Sequence, residues 1–222
     1  MAVRRSSSVS EPLSPSALPD LAVLPRPLAA DKLPVGQLVS KSSKLNPAGL
    51  EDKHYDDGGC RWYKDVILLS NSTGVINESL GGTHLVQKEL DADTSVGTIE
   101  AEEMIVRLLK NPESALKTIL AEQDTATWIK EQAGQSVVGF VTAIREVVNA
   151  SYKRARLFDI GNGNYEVIRE VGGEGKDGKR RDSGLDVQTG SKRDVVGVIV
   201  RQVVVEGNEI KLGNEIGTEF WN

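Results

Sequence analysis

Three groups of residues have types and spacings that chemistry uses. Gly173-Glu174-Gly175-Lys176-Asp177-Gly178-Lys179 has the spacing of a phosphate-binding loop, whose backbone N–H groups cradle phosphate while the lysine reaches the terminal phosphates. Magnesium in such a loop needs a Ser or Thr hydroxyl next, and Arg180 stands there. The loop must also leave a strand and open a helix, whereas Arg181-Asp182-Ser183-Gly184 follow, so a hairpin tip is expected. His54, Asp56, Asp57 and Cys60 form a crude metal-type set, but no second ligand pair stands downstream at zinc spacing. A solvated turn is the plainer reading. Cys60 as a nucleophile would need a histidine base, with His54 and His84 the only two histidines, and a small buried or turn cysteine is the plainer reading there too. No paired-carboxylate or Ser-His-Asp signature stands out. The expectation is a protein that is not an enzyme, with no catalytic residue, no metal ligand, no cofactor and no small-molecule substrate.

The remaining chemistry is charge. Basic residues gather as Lys153, Arg154 and Arg156, then Lys176, Lys179, Arg180 and Arg181, then Lys192 and Arg193. Glu174, Asp177 and Asp182 partly cancel the middle group, and a solvated surface is the bland account of all three. The functional account is an anionic lipid surface, toward which each Lys or Arg contributes about 1 kcal/mol. Nucleic acid fits poorly, because the net charge is −5 and aromatics are too few near these groups for base stacking. The single cysteine rules out an internal disulfide and fits a reducing cytosol. Prolines break every apolar stretch before Ala30, so no signal peptide is read. No apolar run approaches the ~20 residues of a spanning helix, so any crossing of a bilayer must use strands in a closed barrel.

The elements that position these groups read as α+β. Residues 1–34 hold six of the eight prolines and read as a mostly disordered or extended arm, leaving 35–222 as one domain. Asp57-Gly58-Gly59 reads as a tight turn and Trp62 to Leu69 as a strand. Thr83 to Leu90 and Val96 to Leu109 read as a hairpin. Asn111 then caps a helix with Pro112 at its first position and Glu113 in its first turn; Leu116, Ile119 and Leu120 form its buried stripe. A second helix carries Trp128 and Ile129 and stops at Gly134. Ser136 to Asp159 and Ser191 to Glu206 read as two long β segments joined by a basic, Gly-rich insertion, each exceeding the ~9–11 residues of a tilted transmembrane strand. Gly161 to Asn164 and Glu206-Gly207-Asn208 read as turns, the latter letting Ile210 to Leu212 pair back.

This order of features resembles the pore-forming amino-terminal domain of gasdermins, most of all the fungal gasdermin-like regulators of cell death. The likeness is carried by the helix at Asn111-Pro112-Glu113, the helix ending at Ala133-Gly134 and the strand Val137 to Val147. It continues through Tyr152-Lys153-Arg154-Ala155-Arg156, the Gly-rich insertion and the valine-rich return Val195 to Val205, with Arg61 to Leu68 matching the early strand. The fold it implies is a twisted antiparallel sheet with long hairpins and a few helices packed on it.

The resemblance also implies a function: a cytoplasmic protein that binds acidic membrane lipids, oligomerises with itself or a sequence variant of itself, and refolds two hairpins into a β-barrel pore at the plasma membrane. Ser136 to Glu206 would be the second hairpin and Thr83 to Leu109 the first. The lipid contacts would be Lys153, Arg154, Arg156, Lys176, Lys179, Arg180, Arg181, Lys192 and Arg193. The inserted strands would carry Val138, Phe140, Ile144, Val148, Val195, Val198, Ile199, Val200, Val203 and Val205. Two features depart from the family pattern: prolines break the start where a basic amphipathic helix belongs, leaving only 31–44 as a substitute, and no carboxy-terminal repressor domain is expected within 222 residues. A partner protein is therefore the expected trigger. The alternative reading is a non-enzymatic cytosolic interaction domain.

Overall fold

The computed structural model describes residues 21–61, 66–70, 76–78, 84–86, 95–161, 164–169, 189–207 and 209–217. The helices form as their residues dictate. Asn111 Oδ1 accepts from the Ser114 backbone N–H at 2.9 Å, and Pro112 opens α1 (Pro112–Ile119) with Glu113 in the first turn. Ala115, Leu116 and Ile119 fall on one buried face. The second helix, α2 (Gln123–Ala133), buries Thr125 and Ile129 and ends at Gly134.

These helices cover one face of an eight-stranded sheet whose axis is a pair of long strands. They are β10 (Val138–Val148) and β13 (Arg193–Glu206), antiparallel from Val138↔Val203 to Val148↔Arg193. The outer edge of β13 is lined by β1 (Ala22–Ala29) and then by β14 (Glu209–Ile216). The outer edge of β10 is lined by β2 (Leu38–Ser40), which continues to β3 (Lys44–Leu45), and then by β9 (Glu103–Leu109). Beyond β9 lies β4 (Tyr55–Arg61). Phe140, Val138, Ile144, Val195, Val198, Val200 and Val203 pack with Ala115, Leu116, Ile119 and Ile129 to form the main core. Burying each large apolar side chain is worth about 1.5–3 kcal/mol. The strands can approach closely because Gly139 lacks a side chain: a Cβ there would meet Val200 Cγ1 at 2.5 Å and Val39 Cγ2 at 3.1 Å.

A second sheet runs β6 (Ile76–Glu78), β5 (Val66–Ser70), β8 (Ser95–Glu100), β11 (Ser151–Gly161), β12 (Asn164–Arg169) and β7 (His84–Val86). Every pairing in both sheets is antiparallel among the described residues. The fold class is the α+β arrangement expected, with long strands and few helices.

Four local expectations change. Ala22–Ala29 is a strand and Leu24 and Leu33 are core residues, so the ordered domain starts before residue 34. Prolines at an edge strand remove few ladder hydrogen bonds, which is why Pro25 and Pro27 are tolerated in β1. Asp57, Gly58 and Gly59 lie inside β4, where the pairing with β9 shifts after Gly58, so the glycines mark an irregular strand rather than a turn. Thr83 to Leu109 is no hairpin: β7 pairs with β12, while β8 and β9 belong to different sheets. The segment from Ser136 to Asp159 breaks at Asn149, so Lys153, Arg154 and Arg156 lie on β11, whose partners are β8 and β12 rather than β13. The Gly-rich insertion 170–188, Trp62 to Lys64, Asn162, Gly163, Phe220 and Trp221 lie outside the described residues.

Candidate functional site

Two sheets share one ribbon. In the first sheet β9 and β10 pair from Leu108↔Ala143 to Glu103↔Val148; in the second, β8 and β11 pair from Glu100↔Ser151 to Val96↔Ala155. The residue numbers in each of these pairs add to the same total. The register therefore crosses from one sheet to the other without slip, and only Ala101–Glu102 and Asn149–Ala150 leave the ladder. A single two-stranded ribbon is bent at one joint.

Backbone chemistry makes the bend. Asn149 has φ 48°, the only positive φ at a non-glycine position among the described residues. Asn tolerates that region better than most residues because its short amide can bond locally. Its Nδ2 donates to Glu102 Oε2 at 2.5 Å, and its backbone N–H donates to Lys192 O at 2.9 Å. The Glu102 N–H donates to Val148 O at 3.0 Å. Three chain segments are tied at one point.

The inside of the bend is apolar. Ile99 and Tyr152 from the second sheet pack with Ala101, Met104, Val147 and Val196, all of them buried. One buried carboxylate interrupts this packing. Asp194 accepts from the Tyr152 hydroxyl at 2.8 Å on one oxygen and from the Thr189 hydroxyl on the other. Both donors are needed, because a buried carboxylate without them carries its full desolvation penalty. Burial, then the bond to Asp194, pushes the Tyr152 phenol far above its ordinary range, so it stays a donor throughout the physiological range.

On the other face of the ribbon, Arg107 lies 4.6 Å over the Tyr55 ring and 3.6 Å from both Asp52 and Asp57. Glu146 faces Arg193 at 3.6 Å, and burial raises its carboxyl above the ordinary value despite the opposing pull of Arg193 and Arg107. Among the described residues no group of His, Cys, Asp and Glu is arranged to hold a metal ion, and His54 Nδ1 instead accepts from the Glu51 backbone N–H at 2.9 Å.

The residues read as lipid contacts divide. Lys192 and Arg193 are exposed beside the joint. Lys153, Arg154 and Arg156 follow it on β11, opposite Thr98, Gly97 and Ile168 respectively. Lys176, Lys179, Arg180 and Arg181 lie outside the described residues. Of the residues read as inserting in lipid, Val138, Phe140, Ile144, Val195, Val198, Val200 and Val203 are core residues here, while Val148, Ile199 and Val205 are half-buried. Sequence reading missed Glu102, Asn149, Thr189 and Asp194. The available signals were an asparagine ending an otherwise apolar strand and a lone acid opening a run of valines.

No family model and no curated protein sequence matches the chain. Among solved structures it has a weak similarity to a bacterial gasdermin from Bradyrhizobium tropiciagri, with 11% identity, a TM-score of 0.39, and coverage of 89% of this chain and 88% of that one. No helix among the described residues is long and apolar enough to cross a membrane.

Proposed function

We infer that this chain is a gasdermin-like, non-enzymatic pore-forming protein that binds acidic membrane lipids, oligomerises, and inserts strands as a closed β-barrel. The observation that carries this reading is the unslipped ribbon. Strands that enter lipid must satisfy every backbone group; a pre-registered pair already does so for the groups between its two strands, and its outer edges are left for neighbouring copies to pair in a closed ring. At about 3.3 Å per residue, the paired stretch 143–155 is roughly 43 Å long when straight, enough for a tilted crossing. The strands β10, β11 and β13, at 11, 11 and 14 residues, also reach the length a tilted crossing needs. In this reading the resting protein is cytoplasmic, the pore forms at the plasma membrane, and the outcome is lytic regulated cell death. A partner protein, a sequence variant of this chain in the manner of self/non-self recognition, starts assembly.

A second reading, a cytosolic protein-interaction domain, is favoured by one observation: β14 pairs with β13 alone among the described strands. Its other side suits addition of a strand from a partner. Dye release from liposomes with and without anionic lipid separates the two, using the protein alone and mixed with a divergent relative. Leakage that needs acidic lipid and weakens on charge reversal at Lys153, Arg154 and Arg156 supports the pore. A stable monomer that leaks nothing under any pairing sinks it and favours the interaction domain.

A further inference from the structure

We propose that the joint at Glu102 and Asn149 is a conformational latch, holding bent a ribbon whose pairing is already that of a straight one. The proposal deepens the pore reading by naming what restrains the ribbon. Three facts converge on it. Pairing on the two sides of the joint is in one register, so straightening breaks no strand pair and slips none. The bend places Asn149 at φ 48°, and that conformation is held by its side-chain bond to Glu102 and its backbone bond to Lys192. The inner side is tied separately, because Tyr152 on β11 bonds Asp194 on β13, which also accepts from Thr189.

The latch has an accessible half and a protected half. Glu102, Asn149, Lys192 and Arg193 are exposed, whereas Tyr152 and Asp194 are buried. An anionic surface drawn to Lys192 and Arg193 also meets the Glu102 carboxylate and repels it, weakening the bond that holds Asn149. Once Asn149 returns to extended backbone, β10 runs on into β11 and β9 into β8. The Tyr152–Asp194 bond then has to break as β11 swings away from β13.

The bend is read directly by the distance between spin labels at Lys110 and Phe158, both exposed and at opposite ends of the ribbon. Cys60, the sole cysteine, is first replaced by serine. A straight ribbon places the labels about 55 Å apart at ~3.3 Å per residue, and the bent one brings them closer. Asn149→Gly, which keeps positive φ accessible but loses the bond to Glu102, gives a smaller long-distance population than a residue that disfavours positive φ. Asn149→Val, whose branched side chain disfavours positive φ, adds a population near the straight distance in lipid-free solution. An unchanged distance in folded Asn149→Val overturns the latch. If that variant does not fold, the double change Glu102→Ala with Tyr152→Phe replaces it: a longer population supports the latch and an unchanged distance overturns it. Dye release by the same variants keeps the two ideas apart. Lengthening without leakage sustains the latch and sinks the pore, while leakage at unchanged distance does the reverse.

Discussion

The Tyr152 hydroxyl donates to the Asp194 carboxylate at 2.8 Å, joining the first residues of β11 to the first residues of β13 across the boundary between the two sheets. The pair is buried, so its loss is not repaired by water. Tyr152→Phe removes the donor, leaves Asp194 one partner short, and costs about 1.5–3 kcal/mol, the range for bonds to charged groups. Urea denaturation checks this; a loss below about 0.5 kcal/mol would show that the bond is expendable.

Gly139→Ala tests the close approach at the centre of the first sheet. The added Cβ would lie 2.5 Å from Val200 Cγ1, which is branched at Cβ and has little freedom to turn aside. Overpacking of this kind costs about 1–3 kcal/mol. Adding Val200→Ala relieves the clash, so the double variant loses less stability than the two single losses combined. Simple additivity would place the strain elsewhere.

Glu146 gives a pH dependence of known sign. Its folded carboxyl titrates above its ordinary value of 4.5, because burial outweighs the attraction of Arg193 and Arg107. The folded state therefore holds this proton more tightly than the unfolded chain does. The stability it contributes is complete below pH 4.5 and is lost as pH rises through the raised folded value. Glu146→Gln flattens that fall. Denaturation midpoints measured from pH 4 to pH 7 decide it, and parallel profiles for parent and variant would refute the assignment.

Asn111→Ala removes the side-chain acceptor of the Ser114 N–H at the start of α1. The expected cost is about 1 kcal/mol. In a chain of this size, that lowers Tm by about 2–4 °C. Asn111→Asp keeps an acceptor at the cap and holds Tm within a degree or so of the parent, on the roughly equal cap preferences of Asn and Asp.

The parts legible in sequence were those written in local chemistry. Asn111-Pro112-Glu113 announces a helix start because cap, fixed φ and charge act within one turn. The run Val195 to Val205 announces a buried strand because β-branched residues occupy both faces. What escaped reading depends on partners distant in sequence. Nothing near Gly58 and Gly59 says that β9 will pair there, so a glycine pair inside an irregular strand reads as a turn. Residues 96–109 look like one strand, because the break at Ala101–Glu102 matches one on another segment, at Asn149–Ala150. Asp194 looks like a strand-edge charge until Tyr152 and Thr189 are brought to it.

The placement of β1 has a consequence for the order in which the protein is made. Ala22 pairs with Val198 and Ala29 with Asp194, and Leu24 and Leu33 complete the core on that side. β1 leaves the ribosome early, yet the edge it must line is almost the last part of the sheet to be synthesised. The main core cannot close before β13 emerges, and until then the nascent chain carries its apolar strands unsealed. Closing of this sheet waits on β13, the strand that both β1 and β10 need as a partner.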